Sequence, residues 1–284
     1  MANIVERIDE AYGNGMEYAE KFMLEARAEC IEKGEEGLSD LISVCNELGA
    51  LYREQSRFHE SIENFTMAYE GLVAVCGTNA VTECAVILLN VAGVYRLMRE
   101  FEEAAKRYQT ALDIMDMMMV GDTYERASLY NNMSLTYLAM DEIDSAFNYA
   151  TAGYEIMARL HPGESEEAIS LSNLASLALR KGDLEMAQRH AGKALDIYET
   201  RKNTSGHYPA ILNMNAVIAF RKGEYDKALE GFEKSAEFTR KNFGENIDYA
   251  AAIANIGSVY KALGDDAKAQ ECLAQAAEIK SRLQ

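Results

Sequence analysis

The sequence predicts an all-α fold of stacked helix pairs, and three observations carry that expectation. The 284 residues include only 2 prolines and no tryptophan, while Ala, Glu, Leu and Met abound, so little interrupts a helix interior. Hydrophobic residues make up 49% and charged residues 26%, a globular composition far from the regime of disordered chains. The sequence also matches itself at a period near 42, which is the mark of a repeat architecture.

The repeats align on one marker position. It is Tyr52 in LGALYREQSRF, Tyr95 in AGVYRLMREF and Tyr137 in SLTYLAMDEI, then Ala178, Ala219 and Tyr260, at intervals of 43, 42, 41, 41 and 41. Nine residues after each marker stands a small side chain: Ser61, Ala104, Ala146, Ala187, Ala228 and Ala269. Seven further on stands another: Ala68, Ala111, Gly153, Ala194, Ser235 and Ala276. Small residues at fixed offsets let helices approach closely. Apolar residues precede the marker by four and seven positions, as Leu48 with Cys45, Val91 with Leu88, Leu174 with Leu171 and Ile256 with Ile253, which is one stripe of a helix.

These residues resemble the tetratricopeptide repeat, whose pattern runs W-x2-L-G-x2-Y, then A-x3-F, then P. Leu48-Gly49-x-x-Tyr52 is the plainest copy, and Ala104 with Tyr108 or Ala228 with Phe232 supplies the second-helix half. The chain departs from the pattern in having no Trp, no closing Pro and a period about eight residues over the usual 34. Repeats of this extended length are similar to those of kinesin light chains and related bacterial repeat proteins. The resemblance covers about residues 38 to 284 and implies a right-handed α-solenoid of about seven helix-turn-helix repeats, fourteen helices in all, that works as a non-enzymatic protein-interaction module.

In chain order, residues 1–37 read as a degenerate capping repeat with NIVERIDEAYG as a shortened first helix, since atypical end repeats are expected of a solenoid. Six repeats follow in one continuous solenoid, at about 38–78, 79–121, 122–164, 165–205, 206–246 and 247–284. Gly-containing linkers join them at Gly77, Gly121, Gly163, Gly206 and Gly244. The turns inside the last three repeats carry Gly182, Gly223 and Gly264, the first two preceded by Arg180-Lys181 and Arg221-Lys222, which suits a helix C-terminus with a left-handed glycine. Ser165 followed by Glu166 and Glu167 marks a helix start, and Pro209 fits a first helical turn. The last repeat ends in AKAQECLAQAAEIKSRLQ, with nothing polar after it to cover Leu273 and Ile279, so a homodimer through this C-terminal helix is one expectation.

A second face of each repeat's first helix carries the binding expectation. Positions 9, 5 and 2 before the marker and 2 after it share one side of a helix, and the family resemblance implies that this side lines the concave groove. Five before the marker stand Asn90, Asn132, Asn173 and Asn255; six before it stand Asn46, Asn131 and Asn213. Small residues surround this asparagine ladder: Ser43, Ser128, Ala210 and Ala251 in one row, Ala50, Gly93, Ser176 and Ser258 in the other. A side-chain amide both accepts from a backbone N–H and donates to a C=O, so such a row can grip an extended peptide or disordered segment without reading its sequence, a use the resemblance also implies. The other reading is that duplication copied asparagines that only pack. Arg53, Arg96, Arg180, Arg221 and Lys261 lie one or two places after the marker, either as carboxylate partners at the groove rim or as helix C-terminal cations. The methionines Met115, Met117, Met118 and Met119 are expected to be mainly core.

Other functions are disfavoured. A formal charge of −18 and a pI near 4.7 suit neither phosphate backbones nor anionic membranes. Cys30, Cys45, Cys76, Cys84 and Cys272 never take CxxC spacing, and His59, His161, His190 and His207 never take HExxH spacing, so neither a disulfide framework nor a metal site is expected. No phosphate-loop, dinucleotide or nucleophile-elbow motif occurs; no catalytic residue and no cofactor are expected. MANIVERIDEAYGNG has no apolar targeting core, and a cytoplasmic protein is expected. A ligand-sensing half of a peptide-responsive regulator is a further possibility, which would require an output domain.

Overall fold

A computed structural model describes residues 3–76, 81–201 and 206–283. Gly77 and the expected repeat boundaries at 78–79 and 205 lie outside them. Fourteen α-helices and no strand are present among the described residues: α1 (Ile4–Gly13), α2 (Met16–Lys33), α3 (Leu38–Glu54), α4 (Phe58–Cys76), α5 (Val81–Leu97), α6 (Phe101–Met117), α7 (Tyr124–Ala139), α8 (Ile143–Leu160), α9 (Ser165–Lys181), α10 (Leu184–Thr200), α11 (His207–Arg221), α12 (Tyr225–Phe243), α13 (Ile247–Ala262) and α14 (Asp266–Arg282). The helices form two compact units, residues 1–146 and 147–284.

Both units obey the same packing rule. All twelve small residues at the two fixed offsets after the marker are buried, as are the apolar pairs before it, from Cys45 and Leu48 to Ile253 and Ile256. In the first unit, α1 and α2 put Ile4, Ile8, Ala11, Ala19 and Met23 against Val44, Leu48, Leu51 and Tyr52 of α3. Asn3 caps α1 with a reciprocal bond to Glu6, satisfying two orphan N–H groups. Gly49 lets α4 come close to α3: a Cβ there would sit 2.7 Å from the Phe65 ring, and the Ser61 hydroxyl donates to the Gly49 carbonyl at 2.6 Å. In the second unit, Phe232 and Ala236 of α12 pack with Tyr249, Ile253 and Ile256 of α13 and with Ala276 and Ile279 of α14. Pro209 lies in the first turn of α11, and its carbonyl accepts from the Ser235 hydroxyl at 2.9 Å.

The turn between paired helices is one device used six times. Four residues after each marker the backbone takes positive φ: Ser56 at 60°, Arg99 at 65° and Asp141 at 63°, then Gly182 at 79°, Gly223 at 78° and Gly264 at 83°. Glycine adopts this conformation without a Cβ penalty. Only the last three turns announce it in the sequence.

Two expectations need correction. Ile279 is 2% exposed and belongs to the core, because it shares a face with Ala269 and Ala276, the other buried residues of α14; Leu273, at the edge of that face beside Gly257 of α13, remains open at 45%. Of the methionine run only Met115 is core. Met117 ends α6, Met118 follows as its cap and Met119 takes φ 54°, which turns the last three outward to 74%, 44% and 90% exposure.

Candidate functional site: the asparagine face

The first helix of each pair carries the ladder, and Asn46, Asn90, Asn131, Asn132, Asn173, Asn213 and Asn255 are all half-buried. Full burial would make them packing groups and full exposure would leave them unordered; this intermediate state suits a lining. In the first unit, Asn90 Oδ1 accepts from Arg53 Nη1 at 3.4 Å, and Asn132 Nδ2 donates to the Ser128 carbonyl at 3.0 Å. In the second unit, Asn255 Nδ2 donates to Asn213 Oδ1 at 2.9 Å, so residues 42 apart in sequence meet as neighbours.

Each of these amides keeps hydrogen-bonding capacity. Asn90 Nδ2, Asn213 Nδ2, Asn132 Oδ1 and Asn255 Oδ1 bond to no described residue. An amide has two donors and an acceptor oxygen with two lone pairs, so each can still donate to or accept from a peptide backbone. Asn131 and Asn173 have partners of their own.

The basic row behaves differently along the chain. Arg53 is bound to the ladder through Asn90. Arg96 is half-buried beside Tyr108, whose phenol is pushed up by burial, a shift opposed by the Arg96 and Arg53 charges. Arg180 and Arg221 are exposed in the last turns of α9 and α11, as is Lys261 in α13, where they complement the negative end of the helix dipole.

Sequence reasoning missed other polar groups that hold the repeats together. Asn64 is 1% exposed and accepts from Arg27 Nη1 at 2.8 Å. Asn215 Nδ2 spans to the Ala191 and Ile211 carbonyls at 3.1 and 3.0 Å. Both are asparagines off the ladder register, with no sequence signal separating them from surface residues. Glu167, 4% exposed, accepts from Lys193 Nζ and from the Gly163 N–H, each at 2.6 Å. Burial alone would raise its carboxyl, but the Lys193 and Gly163 bonds outweigh that and hold it below the ordinary carboxylate value.

The first unit also holds a cavity of about 320 Å³ beside the ladder, lined by Ile42, Ser43 and Asn46 of α3, Leu72 of α4, Thr82, Glu83, Val86 and Ile87 of α5, and Glu125 of α7. Among the described residues one cluster has ligand types for a metal: His161, Glu164 and Glu166 bring ligand atoms within 4.8 Å of one another. There His161 Nδ1 lies 3.2 Å from Glu164 Oε2, and Arg201 Nη2 lies 3.8 Å from Glu164 Oε1. No helix of the described residues is long and apolar enough to cross a membrane.

The fold and its repeat register define a class. The tetratricopeptide repeat family model matches residues 40–117, 122–200 and 208–282, and the chain belongs to that family. Solved structures agree on the fold. The chain is similar to BtubC (BKLC) from P. vanneervenii, at 19% identity over 80% of this chain and 92% of that one, with a TM-score of 0.68. It is also similar to a putative kinesin light chain repeat protein from Podosopora anserina, at 18% identity over 72% and 98%, TM-score 0.61. The apo form of RapI matches at 14% identity over 99% and 97%, TM-score 0.73. The kinesin-light-chain-like character expected from the long repeats is thus met at the level of fold.

Proposed function

We propose that this chain is a non-enzymatic protein-interaction module that binds an extended peptide, or a disordered segment of another protein, along its asparagine face. The observation that carries the reading is the ladder itself: half-buried amides at two adjacent register positions, with donor or acceptor capacity left over on Asn90, Asn132, Asn213 and Asn255. An extended strand leaves its backbone N–H and C=O groups unpaired and obliged to find partners, which is what a row of carboxamides offers. Solenoids present such faces as extended binding surfaces. Specificity then comes from side chains seated between the rungs.

The test is affinity capture from native lysate with mass spectrometry, using the wild type beside Asn132→Ala with Asn173→Ala, both checked by circular dichroism. Each lost buried hydrogen bond costs about 1–3 kcal/mol, enough to remove a captured partner. The reading expects a protein held by the wild type and released by the variant at unchanged helicity. The same proteins on both baits, or a fall in helicity, would make the asparagines packing residues.

A further inference from the structure

Charge is divided very unevenly along this chain. Residues 1–146 contain 27 acidic and 11 basic side chains, a net −16, whereas residues 147–284 contain 19 and 17, a net −2. The repeat therefore does not require acidity, since the same architecture is built nearly neutral in the second unit. An acid reaches the binding face at one register in both units, Asp40, Glu83 and Glu125 in the first and Glu166 and Asp248 in the second. Glu83 and Glu125 both stand 12 positions before the markers Tyr95 and Tyr137, three residues before the small-residue row and thus on the ladder's side of the helix. They occupy first turns of α5 and α7, where a carboxylate is also favoured by the helix dipole. Dipole preference explains an acid there but not the cavity that two of them share.

That cavity has the chemistry of a receptor for one kind of side chain. Ile42, Leu72, Val86 and Ile87 supply aliphatic walls, Ser43, Asn46 and Thr82 supply hydrogen-bonding groups, and among the described residues no Lys or Arg lines it. Neither Glu83 nor Glu125 forms an ion pair with a described residue. Two cavities of the second unit differ: in one, Glu224 pairs with Lys227 at 2.8 Å and Glu230 with Lys234 at 2.7 Å, and the other is lined by Arg240 and Lys241 as well as Glu233 and Glu237.

We infer that the first-unit cavity is the subsite for a lysine or arginine of the bound segment, its aliphatic stem lying on Ile42, Val86 and Ile87 and its charged head between Glu83 and Glu125. Long cationic side chains bury their methylenes on apolar surface while the head stays polar, and a charge-assisted bond to a carboxylate is about twice as strong as a neutral one. The partner is accordingly a basic extended segment. This rests on the peptide-binding reading above, from which it takes the course of the backbone, and adds the identity of an anchoring residue.

The probe is an array of random twelve-residue peptides exposed to the full chain, followed by fluorescence titration of the most enriched peptide at two salt concentrations. Enrichment in Lys or Arg is expected, with an affinity that falls about tenfold in Glu83→Gln/Glu125→Gln and is weaker in high salt. Glu29→Gln/Glu102→Gln, which removes two exposed charges of the same unit away from the cavity, should change affinity less than twofold. Peptides bound without basic enrichment, or binding unchanged in Glu83→Gln/Glu125→Gln, would overturn the inference while leaving the asparagine clamp standing. An equal loss in both double variants would reduce the effect to bulk charge and overturn it too. If no peptide binds at all, the clamp reading fails and this subsite with it.

Discussion

Residues 1–146 and residues 147–284 stack helix pairs on the same repeat plan, yet the left-handed residue of the inner turn is Ser56, Arg99 or Asp141 in the first and Gly182, Gly223 or Gly264 in the second. The two differ again in charge, −16 against −2, and in what holds the ladder, Arg53 to Asn90 in the first and Asn213 to Asn255 in the second. The lesson is that the backbone geometry belongs to the repeat and the surface chemistry does not. A turn of fixed shape is imposed on whichever residue falls there, while charge is left to be set by what each half meets.

The largest effect that separates the halves comes from their cores. Phe65→Ala in the first unit and Phe232→Ala in the second each remove a ring that is at most 2% exposed, which costs about 3–5 kcal/mol. Because repeat proteins are coupled chiefly through nearest neighbours, amide exchange should rise first in residues 3–76 and 81–146 for the former and in 147–201 and 206–283 for the latter. Uniform loss of protection in both variants would erase the division.

The turns give an effect of opposite sign in the two halves. Gly182→Ala or Gly223→Ala should cost about 1–2 kcal/mol in thermal or urea melts, since an L side chain in that conformation is strained. Arg99→Gly relieves such strain but gains unfolded-state entropy, so the expected change is a stabilisation below about 1 kcal/mol. A destabilised Arg99→Gly variant would mean that its side chain, not its backbone, matters there.

Acidification should also tell them apart. Burial raises the Glu47 carboxyl in α3, opposed by the Asn46 amide and reinforced by the smaller effects of Asp9 and Glu54. Its folded form therefore binds protons more readily than its unfolded form, and the first unit gains stability as pH falls from neutral through that raised value. Glu167 titrates below the ordinary value when folded, so its contribution persists down to the ordinary carboxylate range and is lost only as pH drops further. Between pH 7 and 5, amide protection corrected for intrinsic rates should rise in the first unit and fall in the second, where burial, with the Arg189 and Lys193 charges, holds His190 below the ordinary imidazole value so that the unfolded chain takes up the proton more readily, and Glu47→Gln should flatten the first response. A rise confined to the second unit would contradict the assignment. Smallest of all is the exposed Arg282–Glu245 pair at 2.8 Å, whose removal should shift stability by less than about 1 kcal/mol.

Much of this was legible beforehand because repetition averages over local ambiguity. A small residue at one offset is weak information; Ser61, Ala104, Ala146, Ala187, Ala228 and Ala269 at the same offset fixed a helix contact, and all are buried. The glycine turns were readable for the same reason, whereas Ser56, Arg99 and Asp141 carry no signal because their conformation is enforced by the packed helices on either side. Ile279 and the outward methionines were misjudged where a helix terminus, unlike an interior, leaves the face undecided. The candidate site divides likewise: the asparagine register is periodic and visible, but the cavity also needs Leu72, which belongs to the second helix of a pair and reaches α5 only in three dimensions.

The asparagine face is tested most directly by hydrogen exchange of the full chain alone and saturated with an array-selected peptide. Slowed exchange in α3, α5, α7, α9, α11 and α13, with α4, α6, α8, α10, α12 and α14 unchanged, is the predicted result. Slowing confined to those second helices, with the ladder-bearing helices untouched, would contradict it.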